Sequence, residues 1–402
     1  MAAMHQWWER DRLHYVEDRL VFAGRSVAGL ARQFDSPAFF YDAARVAANL
    51  TRVHDALDEA GFAGRHRINY AMKANRFAPL LTWMKTSGLC SVDACSPREV
   101  EHAISSGFSP AEISFTATSL SDRDFDRLSR LDGLEMNCDS LHSLRQWGER
   151  GSGRSVGIRV NPAVGVGRAQ NEMLQYSGGR TTKFGIYREQ FGVALELAAR
   201  YDLTVERIHF HTGCGYLTPQ LSAWEKVVEE CLWFVDQVAT VTTVNVGGGL
   251  GVPHVAMDDP LDLSCWARIL NRHFRPRDLQ IEVEPGDYLV KDAGLLLLTV
   301  NAVETKKDTM FVGVDAGFNI AVEPAVYGLP FQPVPVCRRP GAEIPITLVG
   351  NINEALDVWY PNVLLPQLKT GDPLALINAG AYSSSMASNH CMRGEFREFL
   401  LL

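Results

Sequence analysis

The stretch AFFYDAARVAANLTRVHDALDEAGFAGRHRINYAMK, residues 38–73, holds the pattern that decides the fold. A short apolar run, AFFYD (38–42), is followed by ARVAANLTRVHDALDEAG (44–61), whose apolar residues recur at three- and four-residue spacing before a terminal Gly61. A second run, RINYAM (67–72), comes next. Apolar spacing of this kind marks an amphipathic helix, and a helix returning one strand to the next is the unit of a parallel sheet. The rhythm continues through CSVDA (90–94), EISFT (112–116), LEMNC (134–138), VGIRVN (156–161), RIHFH (207–211), TVNVG (243–247) and QIEVE (280–284). Helical segments such as EQFGVALELAARYD (189–202) lie between them. Nine candidate strands leave AFFYD to lead in and eight to close a (β/α)8 barrel. Beyond about residue 290 the helical periodicity fades, and LLLLTVNAVETKKDTMFVGVDAG and EIPITLVGNI read as strands and turns. The expectation is an α/β chain with a segment 1–36 joining a β-domain, a barrel over 37–290 and an all-β domain over 291–402.

Length and composition narrow the partners. At 402 residues the chain exceeds a domain of about 150 residues more than twofold, so small scaffolds and single binding modules are excluded. Its 39 Lys and Arg against 47 Asp and Glu leave a net charge of −8 without long runs of one sign. Nothing there marks a surface for nucleic acid or an anionic membrane. The eight cysteines form no CxxC pair, so neither a zinc site nor a disulfide framework is expected and no metal is assigned. The acidic, Trp-bearing start lacks the apolar run of a signal peptide. Cytoplasmic location and a small-molecule partner are the expectation.

In an α/β barrel the chemistry sits at the C-terminal ends of the strands, so polar residues there are the candidates. Lys73 ends NYAMK, where desolvation favours a neutral, nucleophilic amine; alone, it is as readily a lysine reaching out to solvent. His211 closes IHFH and is followed by TGCG. Gly247, Gly248 and Gly249 in NVGGGLG let backbone N–H groups approach a phosphate, although glycine triplets also make plain turns. Glu284 precedes Pro285 and Gly286, a turn that would hold its carboxylate still or let it cap a neighbouring helix. A Schiff-base lysine, a flat ring, a phosphate cradle and a carboxylate for a pyridinium nitrogen, in that order, describe a pyridoxal phosphate site.

With those motifs in place, the chain resembles the diaminopimelate and ornithine decarboxylase family, whose barrel is related to that of alanine racemase. The likeness is carried by FFYD, YAMKAN (70–75), SVDACSPREVEHAISSGF (91–108), IRVNP (158–162), KFGI (183–186), HFHTG (209–213), NVGGGLG, EPG (284–286), PAVYG (324–328), GNINEALDVW (350–359) and GAYSSSMASNH (380–390). The resemblance implies a barrel and β-domain subunit, a homodimer whose active sites draw on both subunits, and pyridoxal phosphate as cofactor. It assigns Lys73 the Schiff-base linkage, with Asp93 near it and His211 stacked on the ring. Gly247, Gly248, Gly249 and Tyr382 would hold the phosphate, and Glu284 the ring nitrogen. A carboxylate there makes the cofactor a strong electron sink, where the related racemases place an arginine.

Departures from the family pattern bear on the substrate. Asn353 stands where the family carries a cysteine associated with reprotonating the carbanion, beside the retained Glu354 and Asp357. Cys214 replaces a phosphate-binding serine, Asp287 the arginine after EPG, and Glu323 the arginine before the PALY-type segment that holds Tyr327. Two cations becoming two anions changes the formal charge by about four units. A neutral, hydroxylated or cationic distal group on the substrate suits Asp287 and Glu323 better than a carboxylate does; alternatively either acid pairs with Arg180. The resemblance implies an amino acid decarboxylase with an altered pocket, serving a specialised biosynthetic pathway. Epimerisation or another fate of the carbanion is one alternative, and a pyridoxal phosphate-binding protein without catalysis a second.

Overall fold

The computed structural model describes residues 6–168 and 171–402, and the chain divides into two compact units. One comprises Asn49–Val252 and Asp259–Tyr288; the other comprises the residues up to Ala48, Pro253–Asp258 and Leu289–Leu402.

The first unit is a closed parallel barrel. Its eight strands are His66–Ala71, Ser91–Ala94, Ile113–Thr116, Glu135–Cys138, Ser155–Asn161, Thr204–His209, Thr243–Asn245 and Gln280–Val283. Each pairs in parallel with the next, and Gln280–Val283 returns to His66–Ala71 with Ile281 opposite His66. Helices cover the outside, so the strands are buried on both faces and read as apolar runs rather than alternating ones. Serine caps set several helix starts: Ser96 Oγ accepts from Glu99 N at 3.2 Å to begin Pro97–Ser105, and Ser140 does the same for Leu141–Glu149. The strands end close to where the motifs place them, which leaves the candidate residues in the loops just past their C-terminal ends.

The second unit is built on the long strand Gly294–Lys306. Around it run Gln332–Pro335, Pro373–Ile377, Thr309–Val314, Ile344–Val349 and Val358–Leu365, mostly antiparallel, with Thr309–Val314 and Ile344–Val349 parallel. The sheet is therefore mixed. Ala38–Asp42, expected to lead into the barrel, belongs here: it lies antiparallel to Gly294–Leu297 and parallel to Arg397–Leu401. All five of its residues are buried, and such a run looks the same in a barrel as between two strands of a β-domain. A meander of Leu13–Val16, Arg19–Phe22 and Arg25–Ser26 joins this unit through Leu20 N–H to Val336 O at 3.0 Å and an apolar cluster that includes Trp8, Phe22, Phe40 and Leu297. No helix among the described residues is long and apolar enough to cross a membrane.

Candidate functional site

Lys73 sits in the 3-10 turn Met72–Ala74 directly after the first barrel strand. The turn is pinned by Tyr70, whose buried hydroxyl donates to Asn75 O at 2.9 Å. The neighbouring strand is in register with Asp93 opposite Ala71, which brings Asp93 Oδ2 to 3.1 Å from Lys73 Nζ. Cys95, two residues on, places Sγ at 3.3 Å from the same nitrogen. Asp93 is 1% exposed and its Oδ1 has no hydrogen-bond partner among the described residues. Burial raises its carboxyl to about 7, the Glu284 charge adding and Lys73 opposing. Burial likewise lifts the Cys95 thiol to about 12.

Glu284 follows the last barrel strand and is gripped by three donors. His209 Nε2 lies 2.9 Å from Oε2, while Asn245 Nδ2 and Ser114 Oγ donate to Oε1 at 2.7 and 3.1 Å. Burial alone would raise this carboxyl, but His209, Lys73 and the Asn245 bond outweigh it and hold Glu284 below the usual carboxylate range. An ionised carboxylate only accepts, so His209 carries its proton on Nε2, and its buried Nδ1 has no hydrogen-bond partner among the described residues. Burial lowers the pKa of both His209 and His211, keeping the rings neutral. His211 Nδ1 accepts from Gly248 N–H at 3.3 Å, which leaves Nε2–H facing Cys214 Sγ at 3.5 Å. Its ring is 4.8 Å from that of Tyr176.

The glycine turn is built by close backbone approach. A Cβ on Gly248 would lie 2.2 Å from Glu284 O, and one on Gly249 2.2 Å from Gly213 O; Gly247 and Gly249 also hold φ of 68° and 105°. Only glycine fits. Gly247 N–H is taken by Asn245 Oδ1 at 2.9 Å, whereas Gly249 N–H donates to no acceptor among the described residues. Gly286, buried beside Glu284, leads into Asp287, which opens the short helix Asp287–Val290.

The barrel thus brings together Lys73, Asp93, His211, Cys214, Gly247, Gly248, Gly249, Glu284 and Gly286. The remaining candidates fall out differently. Arg180 is an exposed residue paired with Glu172, so it is not the partner of either acid. Glu323 lies in the β-containing unit, 2% exposed, in an ion pair with Lys291, which is fully buried. Its charge is cancelled by a lysine 32 positions earlier rather than by the arginine the sequence suggested. Tyr327 ends the same helix, Val322–Tyr327, and Tyr382 lies in that unit with φ of 51°. Asn353 and Glu354 are exposed on a loop, with His390 Nε2 3.3 Å from Glu354. The loop folds around Asp357, whose carboxylate accepts from Ile352 N–H and Phe318 N–H at 2.7 Å and from Trp359 Nε1–H at 2.8 Å.

Sequence reading missed Cys95, Arg159, His209, Asn245 and Ser114. Arg159 is 7% exposed, with its guanidinium 4.7 Å from the Phe184 ring centroid and no ion pair among the described residues. For two of them the signal was a spacing of two across a strand's C-terminal end: His209 precedes His211, and Cys95 follows Asp93.

A lysine, partly exposed, against a buried aspartate, an anionic carboxylate with three donors, a neutral flat imidazole and a glycine turn with an unused N–H suit the amine-reactive carbon, ring nitrogen, ring face and phosphate of pyridoxal phosphate. The orphan atoms Asp93 Oδ1 and His209 Nδ1 show a polar pocket wall left incomplete by protein alone. The comparisons agree. Residues 43–291 match the family model "Pyridoxal-dependent decarboxylase, pyridoxal binding domain". The diaminopimelate decarboxylase of Methanothermobacter thermautotrophicus is 31% identical over 95% of this chain and 90% of its own, and that of Escherichia coli 30% identical over 92% and 90%. The crystal structure of diaminopimelate decarboxylase from Helicobacter pylori complexed with L-lysine superposes with a TM-score of 0.83 at 26% identity, covering 94% of each chain. On the fold, the site and these likenesses together, the chain belongs to the pyridoxal-dependent decarboxylases and is a pyridoxal phosphate-dependent amino acid carboxy-lyase.

Proposed function

We propose that the protein decarboxylates an α-amino acid, or a derivative keeping its free amino and carboxyl groups, whose distal end is not a free carboxylate. The threefold hold on Glu284 is the observation that carries the choice of chemistry. A carboxylate kept ionised in a dry site favours a proton on the ring nitrogen facing it. Bound pyridoxal phosphate supplies a conjugated, protonated ring able to take up the electrons of the breaking Cα–carboxylate bond. Lys73 would hold the cofactor through Nζ, and Asp93, 3.1 Å from that nitrogen, would steady a proton on it. His211, neutral and fixed by Gly248 N–H, would offer its ring face to the cofactor without adding charge. Gly249 N–H, in the close turn that Gly247 and Gly248 shape, would receive the phosphate, with Cys214 nearby.

The distal preference rests on Asp287, because Glu323 is already neutralised by Lys291. A substrate with a second carboxylate would meet an acid where the family resemblance implies a cation. The active species is a two-fold dimer in which Glu354 and Asn353 complete the neighbouring site. Their exposure, with Leu356, Val358 and Leu364 apolar and exposed beside them, supports a surface that another copy covers.

The test is CO2 release and product identification with diaminopimelate, lysine, ornithine and neutral α-amino acids. Diaminopimelate should be about 10- to 100-fold poorer in kcat/KM than the best substrate. Efficient turnover of diaminopimelate would overturn the altered pocket while leaving the decarboxylase standing. Mixed Lys73→Ala and Glu354→Ala chains should regain activity by forming hybrid dimers with one intact site; no recovery despite subunit exchange would overturn the shared site.

A further inference from the structure

We propose that Cys95 is a further catalytic residue: its thiol returns the proton to the substrate carbon once CO2 has left, and Lys73 recharges it. The inference rests on the decarboxylase reading and adds a role to a side chain that reading leaves idle. Cys95 Sγ is 3.3 Å from Lys73 Nζ and 3.9 Å from Asp93 Oδ2. The substrate's nitrogen takes the place of Nζ on the cofactor, and the carbon that loses CO2 is bonded to that nitrogen. A donor in contact with Nζ is therefore in reach of the reacting carbon. Of Lys73's close neighbours, Asp93 has a pKa of about 7 and is largely ionised above it, whereas burial keeps the Cys95 sulfur protonated throughout the neutral range. Cys95 is only partly buried in the protein alone.

The protons balance without an outside source. Of the three protons on the substrate ammonium one would stay on its nitrogen and two would pass to Nζ, so that Lys73 is released as its ammonium. The Cα–carboxylate bond breaks and leaves its electron pair behind. The S–H bond then breaks and a C–H bond forms, leaving a thiolate beside the Lys73 ammonium. Lys73 returns its proton to sulfur across the 3.3 Å contact and becomes the neutral amine needed to displace the product. The net change is amino acid to amine and CO2.

The experiment uses the loaded enzyme with Cys95→Ala and Cys95→Ser. Both should keep the cofactor's visible band, with kcat lower by about 10- to 100-fold and KM within about threefold, as expected for loss of a proton donor. Protonation should go astray to the cofactor, so a carbonyl by-product and bleaching of the band should rise with each variant. A readout without substrate accompanies this: losing the N–H···S contact should lower the pH midpoint of the resting band by about half a unit. Should the alanine variant lose its cofactor, the serine variant decides. Unchanged kcat and by-product fraction in a variant that retains the band would overturn the inference. Absence of CO2 release from the unaltered enzyme would instead overturn the decarboxylase reading beneath it.

Discussion

Glu282 and Glu284 stand two residues apart at the end of one barrel strand, so their side chains lean to the same side, yet they belong to two differently built layers of charge. Around Glu282 the charges close on themselves. Arg67 reaches Glu282 at 2.7 Å and also pairs with Glu135, while Arg207 reaches Glu282 at 3.1 Å and Glu135 at 3.0 Å. Two cations and two anions cancel. One layer up, Lys73, Asp93, Arg159, His209, His211 and Glu284 form no such closed square: Arg159 makes no ion pair among the described residues, and Asp93 Oδ1 and His209 Nδ1 find no hydrogen-bond partner there, although Arg67 Nε and Arg207 Nε below lack one too. Asn245 bridges the layers, donating to Glu284 at 2.7 Å and to Glu282 at 3.4 Å. The lower layer stabilises the barrel, and the upper one is left incomplete so that a ligand can finish it.

If the layers divide the work in this way, the sharpest separation should come from Glu284→Gln. The variant should keep its cofactor and its melting temperature while turnover falls by about 10²-fold, the loss of about 3 kcal/mol of electrostatic stabilisation in a dry site. Near-normal turnover would mean that the ring nitrogen does not depend on this carboxylate. Arg207→Met should do the reverse, lowering stability by about 2 kcal/mol because Glu282 and Glu135 each lose a partner while Arg67 remains. The check is the urea midpoint alongside kcat of the folded fraction; a drop in kcat larger than the drop in folded enzyme would break the division.

A pH-dependent effect concerns Asp93. Its carboxyl is raised from 3.8 to about 7, so between those values the folded state binds more protons than the unfolded one. The stability linked to that proton is complete below about pH 4 and is lost as pH rises through about 7. Melting curves of the cofactor-free protein should therefore fall across this window, and the fall should flatten in Asp93→Asn. An equal slope in both proteins would assign the titration elsewhere.

The comparison also explains what the sequence could tell. Lys73, His211, the glycine triplet and Glu284 were legible because each interrupts or ends an apolar strand. Arg67, Glu135, Arg207 and Glu282 were not, since a single charge within a short strand looks like ordinary surface polarity until the barrel closes around it. Ala38–Asp42 was misplaced for a related reason: its partners lie more than 250 residues away, at Gly294–Leu297 and Arg397–Leu401, and no local pattern names them. Cys95 and Arg159 drew no notice because one thiol and one guanidinium in a strand signify little without the neighbours that the fold supplies.

The Lys291–Glu323 pair has a consequence for how this chain can vary. With both side chains buried and facing one another, an arginine at 323 would put two cations together out of water, and a neutral residue at 291 would strand an acid. Either step alone passes through a poorly folding intermediate, whereas both together need not. Positions 291 and 323 therefore behave as a single heritable unit, with strong epistasis between them, and a chain bearing the arginine should be reached only by way of a prior or simultaneous loss of the lysine.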